Sequence, residues 1–462
     1  MNLPLREVAE WLGLAVESSR MVTGWSVDSR SLQAGDLFFA LRGPNHDGHA
    51  YVREVLEKGA AAVVVDREVP GGAAAEGRVL RVEDSLQALQ QVGAAARRRW
   101  GGRLVAVTGS AGKTTTKELI AGMLAESYKT AKNEGNLNNH IGVPLSLLRM
   151  DETAEIAVME MGMNHAGEIR QLAEIARPET GVVTNVGTAH LENFDSIEGV
   201  AAAKRELIEA LPADGTAVLN ADDARVARFR DAFRGRTVTF GISAEADVRG
   251  EDVRLTPEGV EFRVGEVGFS SPLAGRHEVS NILAGIAAAR VYGIAPARLR
   301  ERIGNLASGK MRGERFHSRG ILVYNDCYNS NPDAVRAMLD VLGETPAKKR
   351  IAVLGEMLEL GHWAETLHRD VGSYAARSGL NVLVGIRGAA CYMLDAAKRS
   401  GLRADAAFFF DDPREAGRQL RALASPGDAV LFKGSRGVHV ELALEEFLKQ
   451  DESAEPGAEA RR

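Results

Sequence analysis

One stretch constrains the fold of this chain more than any other: an apolar run, a glycine-containing turn and a Lys-Thr pair in direct succession. Residues 103–107 form a mainly apolar run with two β-branched valines and predict a buried strand, and residues 118–126 predict a helix. The turn at 108–116 joins them. A strand, a Gly-rich turn and a helix N-terminus present backbone N–H groups to an anion. The stretch therefore predicts a nucleotide phosphate site; an ordinary strand–helix turn is the alternative.

The turn itself suggests a role for single residues. Its pattern is G-x-x-G-K-T, shorter than G-x-x-x-x-G-K-[ST], because Val107 stands where the first glycine would fall. Lys113 adds a point charge, and the Thr114 hydroxyl is suited to bind Mg²⁺. The predicted phosphate-binding residues are Gly109, Ser110, Ala111, Gly112, Lys113, Thr114 and Thr115.

Composition excludes several classes of protein. The 462 residues suffice for two to four domains, and 45% hydrophobic with 26% charged residues is ordinary for a globular protein. No apolar run is long enough to span a bilayer, and residues 1–10 lack a signal-peptide pattern. Two cysteines, Cys327 and Cys391, give neither a disulfide framework nor zinc spacing, so we expect a cytoplasmic protein. A net charge of −6 argues against nucleic acid as the main partner.

The alternation of strands and helices predicts an α/β protein of three domains. We expect a small N-terminal α/β domain at 1–99 and a central P-loop ATPase-like domain with a mostly parallel sheet at 100–310. A doubly wound, Rossmann-like domain is expected at 311–462, ending in a disordered tail from 451. Finer predictions are a small-residue loop at 71–77, a solvated linker at 97–99 and antiparallel strands across 237–267.

Polar residues follow several predicted strands, where ligands bind in open α/β sheets. The Glu160 carboxylate suits Mg²⁺, although a surface glutamate is the alternative. His190 follows the next strand and is more often structural in such a position, and Lys204 has the pattern of a solvated helix lysine. The cluster at 325–332 fits either turn chemistry or an Asp bound to ribose, and 433–436 fits a grip on a carboxylate or phosphate. The polar loops at 26–30 and 42–49 are either surface loops or ligand loops.

Taken together, these pieces resemble the Mur ligases of peptidoglycan synthesis. The resemblance covers nearly the whole chain and rests on the loop at 108–116, on Glu160, His190 and Lys204, on 326–332 and on the three-domain order. Within the family, the stretches 136–144, 326–332 and 433–436 are most similar to the ligases that add D-alanyl-D-alanine to UDP-N-acetylmuramoyl-tripeptide.

The resemblance implies a role for each matching residue. Lys113 would hold the β- and γ-phosphates of ATP, Thr114 and Glu160 would bind one Mg²⁺, and His190 with a carbamylated Lys204 would serve a second metal. The implied nucleotide contacts in the rest of the chain are Asn281 at the adenine, Asp326 at the ribose, Arg312 at the γ-phosphate, and Asn329. The implied substrate-binding residues are Ser29, Arg30, Asn45, His46, Asp47, Asn138, Asn139, Lys433, Ser435 and Arg436. Two departures stand out: Cys327 where the family usually has Ser, and Glu278 where it usually has Asn.

The implied reaction is ATP-dependent amide formation through an acyl phosphate, with Lys113, Lys204, His190 and Arg312 as catalytic residues, and we expect a monomer. The first alternative is another amide ligase, either a different Mur ligase or a folylpolyglutamate synthase. Folate ligases are not expected to carry the loops at 28–30 and 45–49. A P-loop ATPase acting as a switch or motor leaves 326–332 unexplained, and a non-catalytic UDP-sugar-binding protein leaves Lys113 and Thr114 without a purpose.

Overall fold

The structure, a computed structural model, describes residues 1–69 and 77–449. The predicted loop at 71–77, except Gly77, and the predicted tail from 451 lie outside the described residues. No helix within the described ranges is long and apolar enough to cross a membrane.

The N-terminal part is a four-stranded parallel sheet in the order β3-β4-β5-β6, with an antiparallel pair, β1-β2, beside it. Its elements are β1 (Leu3–Pro4), β2 (Met21–Val22), β3 (Gly24–Ser26), β4 (Asp36–Phe39), β5 (Ala62–Val65), β6 (Val79–Arg81), α1 (Leu5–Trp11), α2 (Val52–Glu57) and α3 (Ser85–Trp100). The linker prediction for 97–99 is wrong. These residues belong to α3, and the buried Arg97 donates from Nε to the Ala176 carbonyl at 2.6 Å, so the helix docks on the central part.

The central part is built on a seven-stranded sheet in the order β13-β12-β11-β10-β7-β9-β8, in which every recorded pairing is parallel. Its strands are β7 (Arg103–Thr108), β8 (Thr130–Lys132), β9 (Ile156–Glu160), β10 (Thr180–Val183), β11 (Thr216–Asn220), β12 (Arg236–Gly241), β13 (Val248–Arg249), β14 (Glu251–Thr256), β15 (Gly259–Val264) and β16 (Val267–Ser271). Its helices are α4 (Lys113–Leu124), α5 (Gly142–Arg149), α6 (Glu168–Ala176), α7 (Ile197–Glu209), α8 (Ala224–Ala227), α9 (Arg276–Val291) and α10 (Arg300–Gly304).

Two predictions for this part need correction. The helix after the phosphate loop begins at Lys113, five residues before the predicted start at 118, so its N-terminus faces the loop. Of the strands predicted antiparallel at 237–267, only β14, β15 and β16 are so, because β12 and β13 extend the parallel sheet. Apolar residues of α4 and α9 pack on one face of the sheet and those of α5, α6 and α7 on the other, as expected for a doubly covered parallel sheet.

The C-terminal part is a six-stranded sheet in the order β17-β18-β22-β19-β20-β21, parallel except for the edge strand β17. Its elements are β17 (Glu314–Ser318), β18 (Ile321–Asp326), β19 (Arg350–Gly355), β20 (Val382–Ile386), β21 (Ala407–Phe410), β22 (Ala429–Lys433), α11 (Pro332–Glu344), α12 (Ala364–Arg377), α13 (Ala390–Arg399), α14 (Pro413–Leu423) and α15 (Glu441–Leu448). Buried residues on both faces of the sheet form two cores, as predicted for a doubly wound fold.

Candidate active site

A cavity of about 890 Å³ lies between the central and C-terminal parts. Its walls are loops at the carboxyl ends of strands from both sheets, the position at which open α/β sheets bind ligands. Residues from the phosphate loop, from the loops after β9 and β10, and from those after β18, β19 and β22 contribute side chains. The cavity therefore brings together candidates that are up to about three hundred residues apart in the chain.

The phosphate loop is held by Asn185, which follows β10. Its side-chain oxygen accepts from the backbone N–H groups of Ser110 at 3.1 Å and Ala111 at 2.8 Å. Gly112 has a φ of 76°, and a Cβ at this position would lie 2.5 Å from Asn281 Oδ1. Both the left-handed backbone and the close approach require glycine here. The loop thus keeps its shape through tertiary contacts as well as its own sequence.

Glu160 links the loop to the next strand. Thr114 Oγ1 donates to Glu160 Oε2 at 2.7 Å, and Asn138 Nδ2 donates to Glu160 Oε1 at the same distance. Glu160 is only 2% exposed, so the alternative of a surface glutamate is wrong. Lys113 Nζ donates to the Gly109 carbonyl at 2.9 Å. Burial lowers the pKa of Lys113; the charge of Arg312 acts in the same direction, and Glu160 opposes both.

Asn133 was not among the residues predicted from the sequence, but it forms hydrogen bonds with the backbone of Glu160. Its Oδ1 accepts from the Glu160 N–H at 2.9 Å, and its Nδ2 donates to the carbonyls of Glu160 at 3.1 Å and Leu137 at 2.8 Å. The fully buried Lys117 donates to the Asn133 carbonyl at 2.7 Å. Because Lys117 lies on α4, this network ties the phosphate helix to the strand that carries the carboxylate.

His190 has a left-handed backbone, with a φ of 61°, and its ring contacts Glu359 of the C-terminal part. Nδ1 lies 2.6 Å from Glu359 Oε2, but the geometry is not that of a hydrogen bond, and Nδ1 is buried without a hydrogen-bond partner. The neighbouring His190 ring lowers the pKa of the Glu359 carboxyl. A buried ring nitrogen beside a carboxylate is suited to a metal ion or to a proton.

Lys204 is 1% exposed, so the pattern-based interpretation of a solvated helix lysine is wrong. No hydrogen bond or ion pair of its Nζ is found in the described part of the chain. Burial, reinforced by the charge of Lys113, lowers the pKa of Lys204 well below its usual value. Glu206, two residues on, faces away and accepts from the N–H groups of Gly167 and Arg170. The structure thus buries an amine with no partner near the phosphate-loop lysine.

Residues of α9 also line the cavity. Asn281 Oδ1 accepts from Thr116 Oγ1 at 3.3 Å, and Asn281 Nδ2 donates to Glu278 Oε2 at 3.1 Å. Glu278 and Asn281 are both buried and line the cavity. Burial raises the pKa of the Glu278 carboxyl.

The C-terminal part contributes a second polar set around Asp326. Asp326 Oδ2 accepts from Lys433 Nζ at 2.6 Å, and Oδ1 accepts from the Gly313 N–H at 3.1 Å. Lys433 Nζ also donates to the Asn329 carbonyl at 2.9 Å, so this buried ammonium forms hydrogen bonds with two acceptors of the protein itself. The Arg312 guanidinium lies 3.8 Å from the centre of the Tyr328 ring and lines the cavity.

The remaining predicted substrate residues fall into two groups. Asn138, Asn139, Ser435 and Arg436 line the cavity. Five others do not line it and lie in the loops that follow β3 and β4 of the N-terminal part: Ser29, Arg30, Asn45, His46 and Asp47. In the first of these loops Arg30 pairs with Asp28 at 2.6 Å. Asp47 accepts from the buried His49 ring at 2.7 Å and pairs with Arg67.

Direct contacts join the central and C-terminal parts beside the cavity. Asp333, in the first turn of α11, accepts from the Thr188 N–H at 2.9 Å and from its hydroxyl at 3.1 Å. The Glu359 carbonyl accepts from the Glu192 N–H at 3.2 Å. Neither Asp333 nor Glu359 was a candidate, because each acts across an interface that no local pattern reports.

The oxygen ligands fit a magnesium–phosphate site. Across residues 1–69 and 77–449, no group of three or more His, Cys, Asp and Glu side chains is arranged to hold a metal by itself. Mg²⁺ usually takes one or two carboxylates together with substrate phosphates and waters. Thr114 and Glu160, whose oxygens lie 2.7 Å apart beside the phosphate loop, suit that arrangement.

Comparison with known families gives three matches along the chain. Residues 21–97 match the model described as Mur ligase family, catalytic domain; 107–289 match the Mur ligase middle domain; and 311–436 match the Mur ligase, glutamate ligase domain.

Similar proteins span almost the same length. The chain is 35% identical over 433 residues to the UDP-N-acetylmuramoyl-tripeptide–D-alanyl-D-alanine ligase of Bacillus subtilis (93% of this chain, 94% of the relative). It is 38% identical over 426 residues to the ligase of the same name from Synechocystis sp. (92% and 91%). A crystal structure of MurF from Acinetobacter baumannii superposes with a TM-score of 0.89 at 29% identity, covering 97% of this chain and 99% of that chain.

Two further structures help to rank the alternatives. MurF from Thermotoga maritima in complex with ADP matches with a TM-score of 0.82 at 29% identity, over 92% of this chain and 97% of that one. A folylpolyglutamate synthase from Mycobacterium tuberculosis reaches only 0.62 at 15% identity, over 79% and 95%, and shares the fold alone. On the family models and the near full-length relatives, this chain belongs to the Mur ligase family.

Proposed function

We propose that this chain is an ATP-dependent ligase that joins D-alanyl-D-alanine to UDP-N-acetylmuramoyl-tripeptide in peptidoglycan precursor synthesis. The observation that carries the proposal is the cavity in which the phosphate loop, Glu160 and the C-terminal Asp326 and Arg312 meet. The names of the near full-length relatives supply the substrates. The ADP complex of a structural relative supports ATP as the nucleotide.

Each step of the reaction brings negatively charged groups together, so positive groups have to offset them. The tripeptide carboxylate attacks the γ-phosphate, ADP leaves, and the amine of D-alanyl-D-alanine then displaces phosphate from the acyl phosphate. Lys113 and Arg312 supply fixed positive charge, and the loop N–H groups and the N-terminus of α4 face the phosphates. Mg²⁺, held by Thr114 and Glu160, would offset the negative charge that accumulates on the phosphate oxygens.

Contact between the central and C-terminal parts protects the acyl phosphate from water. Its hydrolysis would waste ATP, so water has to be kept from the site. The contacts of Thr188 with Asp333 and of Glu192 with Glu359 hold the C-terminal loops over the phosphate loop. In this proposal the N-terminal loops at 28–30 and 45–49 bind the UDP-sugar. The proposed domains are residues 1–99, 100–310 and 311–462.

We also propose that Lys204 is carbamylated and binds a second metal ion. A neutral amine is needed for reaction with CO₂, and burial without a partner favours that form of Lys204. The amine nitrogen forms a bond to the carbon of CO₂ and loses a proton, which gives a carbamate with two oxygen ligands suited to Mg²⁺. His190, whose buried Nδ1 lies 2.6 Å from Glu359 Oε2, is the proposed companion.

Phosphate release separates the candidate functions. Release that needs both UDP-muramoyl-tripeptide and D-alanyl-D-alanine, with the amide product seen by mass spectrometry, is the expected result. Release with ATP alone at the full rate indicates an ATPase, and a requirement for a different amino acid or for folate indicates another ligase. Binding of the UDP-sugar without any release indicates a non-catalytic protein.

A further inference from the structure

Arg312 lies in a tight turn between α10 and the edge strand β17. Its N–H donates to the Gly309 carbonyl at 3.0 Å. The preceding residue, Met311, has a left-handed backbone with a φ of 59°, and Gly313 on the other side has a φ of 69°. Glycine adopts this conformation freely, whereas a residue with a Cβ needs surrounding contacts to hold it there. The direction of the Arg312 side chain therefore depends on what holds Met311.

Glu314, the first residue of β17, supplies one of these contacts. Its Oε2 accepts from the Met311 N–H at 2.8 Å and from Asn325 Nδ2 at 2.7 Å. Glu314 and Asn325 lie opposite each other in the antiparallel pair β17–β18, so the sheet fixes the carboxylate. The Met311 carbonyl accepts from the Tyr328 N–H at 3.1 Å. Both polar backbone groups of Met311 are thus held by the C-terminal sheet and by the loop that follows β18.

Two further contacts hold Arg312 and its other neighbour. The Arg312 guanidinium lies 3.8 Å from the centre of the Tyr328 ring, and the Gly313 N–H donates to Asp326 Oδ1 at 3.1 Å. All four of these residues line the cavity, but Glu314 does not. Any effect of Glu314 on the reaction therefore has to pass through the turn that carries Arg312.

We propose that Glu314 is a positioning residue for phosphoryl transfer, which holds the Met311 N–H and thereby directs the Arg312 guanidinium towards the γ-phosphate. The inference rests on the proposed function, which places the γ-phosphate beside Arg312. A positive charge stabilises the transition state most when it is fixed in place before the reaction. Misplacement of a group by about 1 Å can cost about a hundredfold in rate. Glu314 thus affects the rate without touching a substrate.

The chemistry of the carboxylate predicts which substitutions are tolerated. A single Glu314 oxygen accepts from two donors, and a Gln oxygen at the same place can also accept from both. Ala removes the acceptor of the Met311 N–H and of the Asn325 amide. Asp keeps the charge but is shorter by a CH₂ group, so it reaches the two donors less well. Glu314→Gln should therefore preserve the turn, whereas Glu314→Ala and Glu314→Asp should loosen it.

The test measures the binding of ATP and of ADP to the full-length protein with Mg²⁺ by calorimetry, because ADP lacks the γ-phosphate. Arg312→Ala should weaken ATP binding about tenfold or more, as expected for the loss of a hydrogen bond to a charged group, and should change ADP binding by less than about twofold. Glu314→Ala should weaken ATP binding about threefold to tenfold, with the same small effect on ADP, and should lower kcat for ligation about tenfold or more. Glu314→Gln should stay within about twofold of the wild type in all these quantities.

A double-mutant cycle shows whether Glu314 acts through Arg312. If it does, the variant with both residues replaced by Ala binds ATP as Arg312→Ala does, within about twofold, because both changes remove the same interaction. Glu344→Ala, the same substitution at an exposed glutamate at the end of α11, is the matched control and should bind both nucleotides as the wild type does. Glu314→Asp takes the place of Glu314→Ala should the latter fail to fold.

Wild-type ATP binding in folded Glu314→Ala or in Arg312→Ala would overturn the inference, and so would an equal loss of ATP and ADP binding in Glu314→Ala. A double variant that binds ATP about tenfold more weakly than Arg312→Ala would also overturn it, since Glu314 would then act independently. Ligation by the wild type leaves the proposed function intact in each of these cases. A wild type that binds no ATP and forms no amide overturns the proposed function together with this inference.

Discussion

Replacing Lys204 by Met should make the apoprotein more stable and the enzyme inactive. Lys204 is 1% exposed and its Nζ has no hydrogen bond or ion pair within the described residues. Met retains an unbranched stem of similar length and removes the buried amine. A fully buried polar group without a partner costs about 1–3 kcal/mol, so Lys204→Met should raise the free energy of unfolding by up to that amount.

The gain should depend on pH with a defined sign. Burial lowers the pKa of Lys204 in the folded state, while an unfolded lysine titrates near a pKa of about 10.4. Between the two pKa values the unfolded state binds more protons, so the stability of the wild type rises with pH. Lys204→Met lacks this contribution. Its advantage is therefore largest below the folded-state pKa and shrinks as the pH rises towards that of free lysine.

Lys117→Met is the matched control because this lysine is equally buried but partnered. Its Nζ donates to the Asn133 carbonyl at 2.7 Å and lies 3.3 Å from Glu118 Oε1. The same substitution should therefore destabilise the protein. The opposite signs distinguish an unpartnered lysine from a general preference for Met in the core.

The assay is urea denaturation followed by circular dichroism, without Mg²⁺ and in CO₂-free buffer, from neutral to alkaline pH. Ligation is measured in parallel with bicarbonate and Mg²⁺ present, and Lys204→Met should lose about a hundredfold or more in kcat. A Lys204→Met protein that unfolds at lower urea than the wild type would refute the stability argument. Wild-type kcat in the variant would refute the role in catalysis.

Three further predictions follow from the site. Lys113→Ala should lower the rate of phosphate release by about a hundredfold to a thousandfold while the circular dichroism spectrum stays unchanged, because one fixed positive charge is lost at phosphoryl transfer; near-normal turnover would contradict it. Asn133→Ala should raise the Mg²⁺ concentration needed for half-maximal activity, since three hydrogen bonds around the Glu160 backbone and its loop are lost; an unchanged requirement would assign Asn133 to stability alone. Ser29→Ala combined with Arg30→Ala should raise KM for the UDP-sugar and leave KM for ATP unchanged, and equal KM values for the UDP-sugar would remove these residues from its site.

The sequence predicted the elements whose cause is local. The phosphate loop could be identified because the strand, the glycines and the Lys-Thr pair are contiguous, and the parallel sheets because apolar runs alternate with helical segments. Glu160 and His190 could be chosen as candidate site residues because ligands bind at the carboxyl ends of parallel strands. Lys204 needed the family resemblance, since its surrounding helix sequence looks solvated.

Tertiary structure decided what depends on distant partners. Lys204 is buried by the tertiary fold, although polar residues follow it in the sequence. The arginines at 97–99 belong to a helix that docks on the central part, where a carbonyl of α6 accepts from Arg97. The tertiary fold also brought Asp333 to Thr188, 145 residues earlier in the chain, and Glu359 to His190. Contacts at such separations leave no periodicity or spacing in the sequence, because each arises only when two separate sheets face each other across the cavity.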